Sequence, residues 1–425
     1  MKNLKLFIFA FLIFSSCQNG VSKITGSDVT PKPPSEAELT LVVYMACDND
    51  LESYALQNLK QMEKTEFSKI NVLVLMDRSE GYDETNGNWT DTRLFEVVHD
   101  SLGTANVVSK RLDCSPLGLS SDTETELDMG SSFVLRNLLT FAKTQFPAKA
   151  YALIIWGHGT GWRYSGNVSG SRAVAVDDKT KSYMSVQALG SAVRGLDFGV
   201  IGFDTCFGGV FENIYELKDC ALYTVGSAGI TPGEGWNYTQ LLKSLSESEF
   251  SAQEIAAAMA KSSSAQVTVF ENGKLGELMN GFEVFAKNLS QTITDTTSQR
   301  AVYDSLVSCK AYSYIQFPCD LYLDVYSIAE HYSTASELQL KNAAQKLMEL
   351  VNNSGYSLQA LNVELAVNFI PRLSFGTTAA THSESYIKNE AISDQCKFIK
   401  ESQWWVPTRG GNSGSLLDKL FYTSF

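Results

Sequence analysis

The sequence predicts an α/β fold built on a largely parallel sheet with helices on both faces, and three observations carry that prediction. Apolar runs too short for helices alternate with amphipathic segments at helical spacing. Two of these runs, YALIIWGHGTGW (151–162) and GVIGFDTCFGG (199–209), end in glycine-flanked turns that carry a histidine and a cysteine. The chain has 425 residues, enough for two or three ordinary domains or one large α/β domain with additions. Alternating strands and helices imply parallel pairing, which gathers the functional loops at the carboxyl ends of the strands.

The elements follow in order from the amino end. Lys2 and Lys5 precede the apolar run Leu6–Phe14, and Ser15, Ser16 and Cys17 come next. A charged stretch, a short apolar stretch and a small-residue site make an export signal. Residues 1–17 resemble a bacterial lipoprotein signal, which would make Cys17 the lipidated first residue and tether the protein to a membrane of the cell envelope, on its periplasmic or outer side. An ordinary cleaved signal and a short anchor fit the same pattern. Residues 18–37, rich in Ser, Thr, Pro and Gly, read as a flexible tether. No later run is long and apolar enough to span a bilayer.

Glu38–Ala46 reads as a buried strand, and Asp48, Asn49 or Asp50 can cap the helix after it, in which Leu51, Tyr54, Ala55, Leu59 and Met62 share one face. A strand from Ile70, a glycine- and asparagine-rich loop at 81–91 and the strand RLFEVV follow. Helices over 132–146 and 185–194 precede the histidine and cysteine strands. Beyond about Phe270, helical periodicity over 279–289 and 337–351 indicates a mainly helical addition with a few strands. Residues 38–270 thus form the expected catalytic domain, and 271–425 a C-terminal addition, either separate or integral to it.

His158 and Cys206 both stand just past strand ends. If their strands are parallel neighbours, the two side chains meet despite their separation in sequence. The glycines around them permit backbone conformations closed to other residues. A helix starting near Phe207–Val210 would point its amino end at the cysteine and, with the imidazole, favour thiolate. A thiolate attacks acyl carbons, and a histidine moves the proton that the leaving amine and the water require. Backbone N–H groups of Gly159 and Cys206 are the candidate oxyanion donors. Taken singly, a cysteine at a strand end is also consistent with a small core residue, and the histidine with a group bonded to a carbonyl.

HGTGW followed by GFDTCFGGVFENIYELKD, with YMACDNDLE upstream and VGSAGITPGEGWNY downstream, resembles the clostripain family of cysteine peptidases, relatives of the caspases and gingipains. CDLYLDVYSIAEHY and LAVNFIP extend the resemblance over roughly residues 39–371. It implies a caspase-like α/β sandwich and an endopeptidase whose dyad is His158, the general acid/base, and Cys206, the nucleophile. It also implies cleavage after Arg or Lys, with Asp204 or Glu234 as the acid that pairs with the cation. The sequence SAGI at 227–230 stands where many relatives carry acids, and Asp204 also fits a turn-former or helix cap, Glu234 a surface residue. Self-activation by a cut between the two strands would use Arg172, Lys179 or Lys181, although 163–181 reads equally as a plain surface loop.

The chain has 34 basic and 47 acidic residues, a net charge of −13, which argues against a nucleic-acid partner. Peptides or proteins are the expected substrates, and a monomer the expected state. The chemistry requires no cofactor. A calcium requirement is not legible in the sequence, and no metal-ligand spacing stands out. The competing expectation is a catalytically silent lipoprotein of the same fold that binds peptide or protein.

Overall fold

A computed structural model describes residues 36–162, 174–313, 321–360, 362–369, 396–402, 404 and 415–421. Cys17 and Arg172 lie outside the described residues. Strands β1 (Ala37–Ala46), β2 (Ile70–Asp77), β3 (Thr92–Glu96), β4 (Lys110–Leu112) and β5 (Ala148–Gly157) come first, interleaved with helices α1 (Glu52–Glu63) and α2 (Ser132–Gln145). A hairpin of β6 (Ala175–Asp177) and β7 (Ser182–Met184) leads through α3 (Val186–Val193) to β8 (Val200–Asp204), α4 (Phe211–Glu216) and β9 (Tyr223–Gly226). Helices α5 (Tyr238–Ser246) and α6 (Ala252–Ser262) then precede β10 (Thr268–Glu271).

The central sheet has nine strands, in the order β13-β10-β9-β8-β5-β1-β2-β3-β4, where β13 is Gly355–Ser357. Its middle five are parallel, and antiparallel strands extend it on both sides. The parallel strands read as continuous apolar runs because both faces are covered. Along β1, Val42, Tyr44 and Ala46 enter one core with α2 and α3, whereas Leu41, Val43 and Met45 enter the other with α1, α5 and α6. Each such side chain contributes about 1.5–3 kcal/mol on burial, so a one-residue register slip would forfeit both cores at once.

Local signals set the element boundaries. The side chain of Ser185 caps α3 by accepting from the Ala188 N–H, and Ser251 and Glu254 form a capping box on α6. After β10 the described chain is mainly helical, with α7 (Leu275–Gln291), α8 (Thr296–Ser308), α9 (Val325–Tyr332) and α10 (Leu338–Asn353). A small sheet of β11 (Ala311–Tyr312), β12 (Leu321–Asp324) and β14 (Ala366–Phe369) accompanies them, in the order β11-β12-β14. This region lies within the same compact unit, Glu36–Phe425, and lends β13 to the main sheet. Trp404 is fully buried there, its indole N–H donating to the Asn368 carbonyl. No helix among the described residues is long and apolar enough to cross a membrane.

Strand order also locates the site. From β1 the chain moves to β2 on one side, while β5, β8 and β9 continue on the other. The carboxyl ends of β1 and β5 therefore flank the switch point, where open α/β sheets form their crevice.

Candidate active site

Strands β5 and β8 are paired in parallel with Trp156 opposite Asp204, so His158 and Cys206 leave the sheet beside one another. Two glycines let the histidine loop lie this close. Gly157 has φ +139°, and a Cβ there would sit 2.7 Å from the Ala46 carbonyl oxygen. A Cβ on Gly159 would sit 2.6 Å from Thr205 Oγ1 and collide with the Cys206 carbonyl oxygen. His158 faces solvent in part, and its Nε2 lies 2.6 Å from Asp50 Oδ1.

The cysteine occupies a backbone-strapped turn. Phe207 adopts φ 54°, a conformation that costs an aromatic residue on the order of 1–3 kcal/mol and persists only where its surroundings enforce it. Here the Phe207 N–H donates to the Gly229 carbonyl and the Gly209 N–H to the Ser227 carbonyl, each at 2.8 Å. Thr231 closes the strap: its N–H points at Cys206 Sγ from 3.3 Å, and its hydroxyl donates to the Thr205 carbonyl at 3.0 Å. The small residues of SAGI fit this role, since a Cβ on Gly229 would press on the Tyr312 ring at 2.9 Å.

The helix after the cysteine starts close to where the sequence places it, α4 beginning at Phe211 with Val210 as its N-cap. The turn needs residues 205–209 to reverse direction, and the N–H that reaches the sulfur belongs to Thr231.

The remaining expected residues separate by environment. Asp204 is buried at the end of β8, where its Oδ2 accepts from the Trp236 N–H at 2.9 Å and the Tyr238 hydroxyl at 3.0 Å. Its Oδ1 is buried without a partner, and desolvation raises the carboxyl to about 7. Glu234 is exposed. Lys179 and Lys181 lie in the β6–β7 turn, and Lys179 is tied down by Glu126 Oε2 at 2.5 Å and by its own N–H on Asp48 Oδ2 at 2.8 Å. Cys47, also past a strand end, is buried with its thiol donating to the Asp77 carbonyl, and burial pushes that thiol well up.

Two features escaped the sequence reading. Asp50 touches the histidine, whereas its sequence context signals only a helix cap; of that trio, Asn49 alone bonds ahead into the turn, accepting from the Leu51 N–H at 3.0 Å. Asp48, Asp77 and Asp177 form the metal-capable grouping found among the described residues. They come from three separate segments, so no local spacing announces them.

The architecture is the caspase-like sandwich. A neighbour of that fold is a secreted C11 cysteine protease from Bacteroides thetaiotaomicron in complex with an irreversible peptide inhibitor, 18% identical with a TM-score of 0.57, covering 82% of this chain and 97% of its own. Another is an inactive zymogen C11 protease from Parabacteroides distasonis, 19% identical with a TM-score of 0.58, covering 86% and 99%. The clostripain family model matches residues 43–405, and the chain belongs to that family. Clostripain of Hathewaya histolytica is 24% identical over 254 residues, 55% of this chain. The chain spans about half the length of that curated relative, 47% of it.

Proposed function

We propose that the chain is an exported cysteine endopeptidase acting through His158 and Cys206. The observation that carries this reading is the pair of parallel strand ends that set the histidine loop against the cysteine turn, with an N–H 3.3 Å from the sulfur. The thiolate of Cys206 attacks the scissile carbonyl carbon, forming a C–S bond and an oxyanion that the N–H groups of Cys206 and Gly159 stabilise. His158 protonates the leaving amine as the C–N bond breaks, giving a thioester. The same imidazole then takes a proton from water, hydroxide attacks the thioester, and the thiolate leaves. Asp50 holds Nε2, so Nδ1 is the nitrogen that exchanges these protons.

Substrates are peptides or proteins cut after Arg or Lys. Asp204 supports this preference better than Glu234, because its buried Oδ1 has no partner to compete with an incoming cation, whereas Glu234 is solvated. Self-activation would cut at Arg172 rather than at Lys179 or Lys181. Those two sit in a hairpin turn that a peptidase would have to unfold. The signal-like residues 1–17 support lipid attachment through Cys17.

The test is mass spectrometry of a mixed peptide library incubated with the purified chain or its Cys206→Ala form. Cuts after Arg and Lys that disappear with Cys206→Ala are the expected result. Cuts after other residues would remove the role of Asp204, and no cuts after limited trypsin treatment would remove the enzyme.

A further inference from the structure

The region after β10 reaches the site through two tyrosines. Tyr312 of β11 and Tyr322 of β12 are direct cross-strand partners, so their rings lie on one face of the small sheet. Tyr322 is 4% exposed, and its hydroxyl donates at 3.0 Å to the carbonyl of Thr160, in the histidine loop. Its ring also packs on that of Phe207, the residue after Cys206, with centroids 5.0 Å apart. The ring of Tyr312 lies against Gly229, whose carbonyl accepts the Phe207 N–H.

The histidine loop needs such a support. Gly157 and Gly161 have φ +139° and +89°, and with Gly159 between them the loop's own backbone specifies its path weakly. Gly161 is also the residue that admits Tyr322, since a Cβ there would collide with the tyrosine hydroxyl. The cysteine turn has the opposite difficulty, a phenylalanine at φ 54° that its surroundings must enforce. One side chain touches both loops, bonding the carbonyl of one and the ring of the other. An error of about 1 Å between reacting groups costs roughly 100-fold in rate, so a residue that spans the two loops bears directly on turnover.

We propose that Tyr322 is a positioning residue of the peptidase, a bridge from the small sheet that fixes the spacing of His158 and Cys206. The proposal rests on those two residues acting as the dyad. It makes the chain beyond β10 part of the working site, through β12 directly and through Tyr312 on the strap that holds Phe207. Being buried, Tyr322 sets the geometry for proton transfer without touching the substrate, so its loss is read in kcat and not in KM.

The experiment compares Tyr322→Phe, Tyr322→Leu and His158→Ala with the parent chain on an internally quenched fluorogenic peptide containing Arg and Lys. Phe keeps the ring on Phe207 and loses the bond to Thr160, whereas Leu loses both. We expect kcat to fall about 10-fold in the Phe variant and about 100-fold in the Leu variant, with KM unchanged. Iodoacetamide at about pH 9.5, where a thiol ionises unaided, should alkylate Cys206 at the parent rate in both, as read by peptide mass spectrometry. Faster alkylation, which marks an unfolded turn, a rise in KM alone, or kcat undiminished in both variants would overturn the proposal. Should the Leu variant misfold by circular dichroism, the Phe variant decides, and an unchanged kcat in it overturns the bridge. Inactive His158→Ala beside fully active Tyr322 variants defeats the bridge alone. Full activity in His158→Ala, or a parent chain inactive before and after limited trypsin treatment, removes the dyad and the bridge with it.

Discussion

Two aspartates at the carboxyl edge of the same sheet live under opposite conditions. Asp204, two residues before Cys206, is 3% exposed, whereas the side chain of Asp50 is 71% exposed. Strand alternation explains the first. Asp204 shares the face of Gly202, where a Cβ would meet the Trp236 ring at 2.9 Å, so it is drawn beneath the cleft into the core with α5 and α6. Asp50 follows β1 in a turn, free of that alternation, and reaches the histidine loop. Nearness in sequence to Cys206 therefore selects the buried carboxylate, and nearness in space to His158 selects the open one.

The comparison rests on His158 being the proton carrier, and removing it has the largest expected effect. His158→Ala should lower kcat/KM by about 10⁴-fold or more with the melting temperature little changed, since the ring is partly exposed. Retained activity in steady-state assays would dissolve the distinction between the two aspartates.

Asp204→Asn comes next, and it separates a charge from a buried polar group. Burial raises the folded carboxyl to about 7, above the unfolded value near 4. Its proton is therefore bound more tightly in the folded state, and the parent chain loses stability as the pH rises from about 4 through 7. Asn carries no such proton, so its stability relative to the parent should climb over that window, by a difference on the order of a few kcal/mol, read from melts at each pH. A flat difference between pH 5 and pH 8 would mean that Asp204 is ionised throughout. With Arg and Lys substrates, the same variant should also lose roughly 100-fold in kcat/KM if its carboxylate receives the cation.

Much of this architecture is legible in the sequence because period and punctuation agree. The runs ELTLVVYMA, INVLVLM and YALIIWG become β1, β2 and β5, and Ser185 caps its helix as its residue type predicts. The glycines beside His158 and Cys206 mark close backbone approaches, which the collisions of an added Cβ bear out at Gly157 and Gly159. Long-range partners are not legible. Thr231 reaches the sulfur through its backbone N–H, for which any non-proline residue would serve, so residue type carries no signal. Asp48, Asn49 and Asp50 look alike in sequence, yet one meets a buried cluster, one bonds the next turn and one meets the histidine.

The smallest expected effect belongs to Asp50 itself. Its carboxylate is largely solvated, so the bond to His158 is screened and supports the ring's orientation more than its charge. Asp50→Asn should keep a hydrogen bond of similar length while exchanging an acceptor for an amide. We expect a loss of about 10-fold in kcat with KM unchanged, because orienting the imidazole matters only when a proton moves. Asp50→Glu should recover part of that loss, as its longer arm still presents an acceptor to Nε2. If KM rises instead and kcat holds, Asp50 contacts the substrate and is not a positioning residue; if neither moves, the 2.6 Å contact orients a ring already fixed by its own loop.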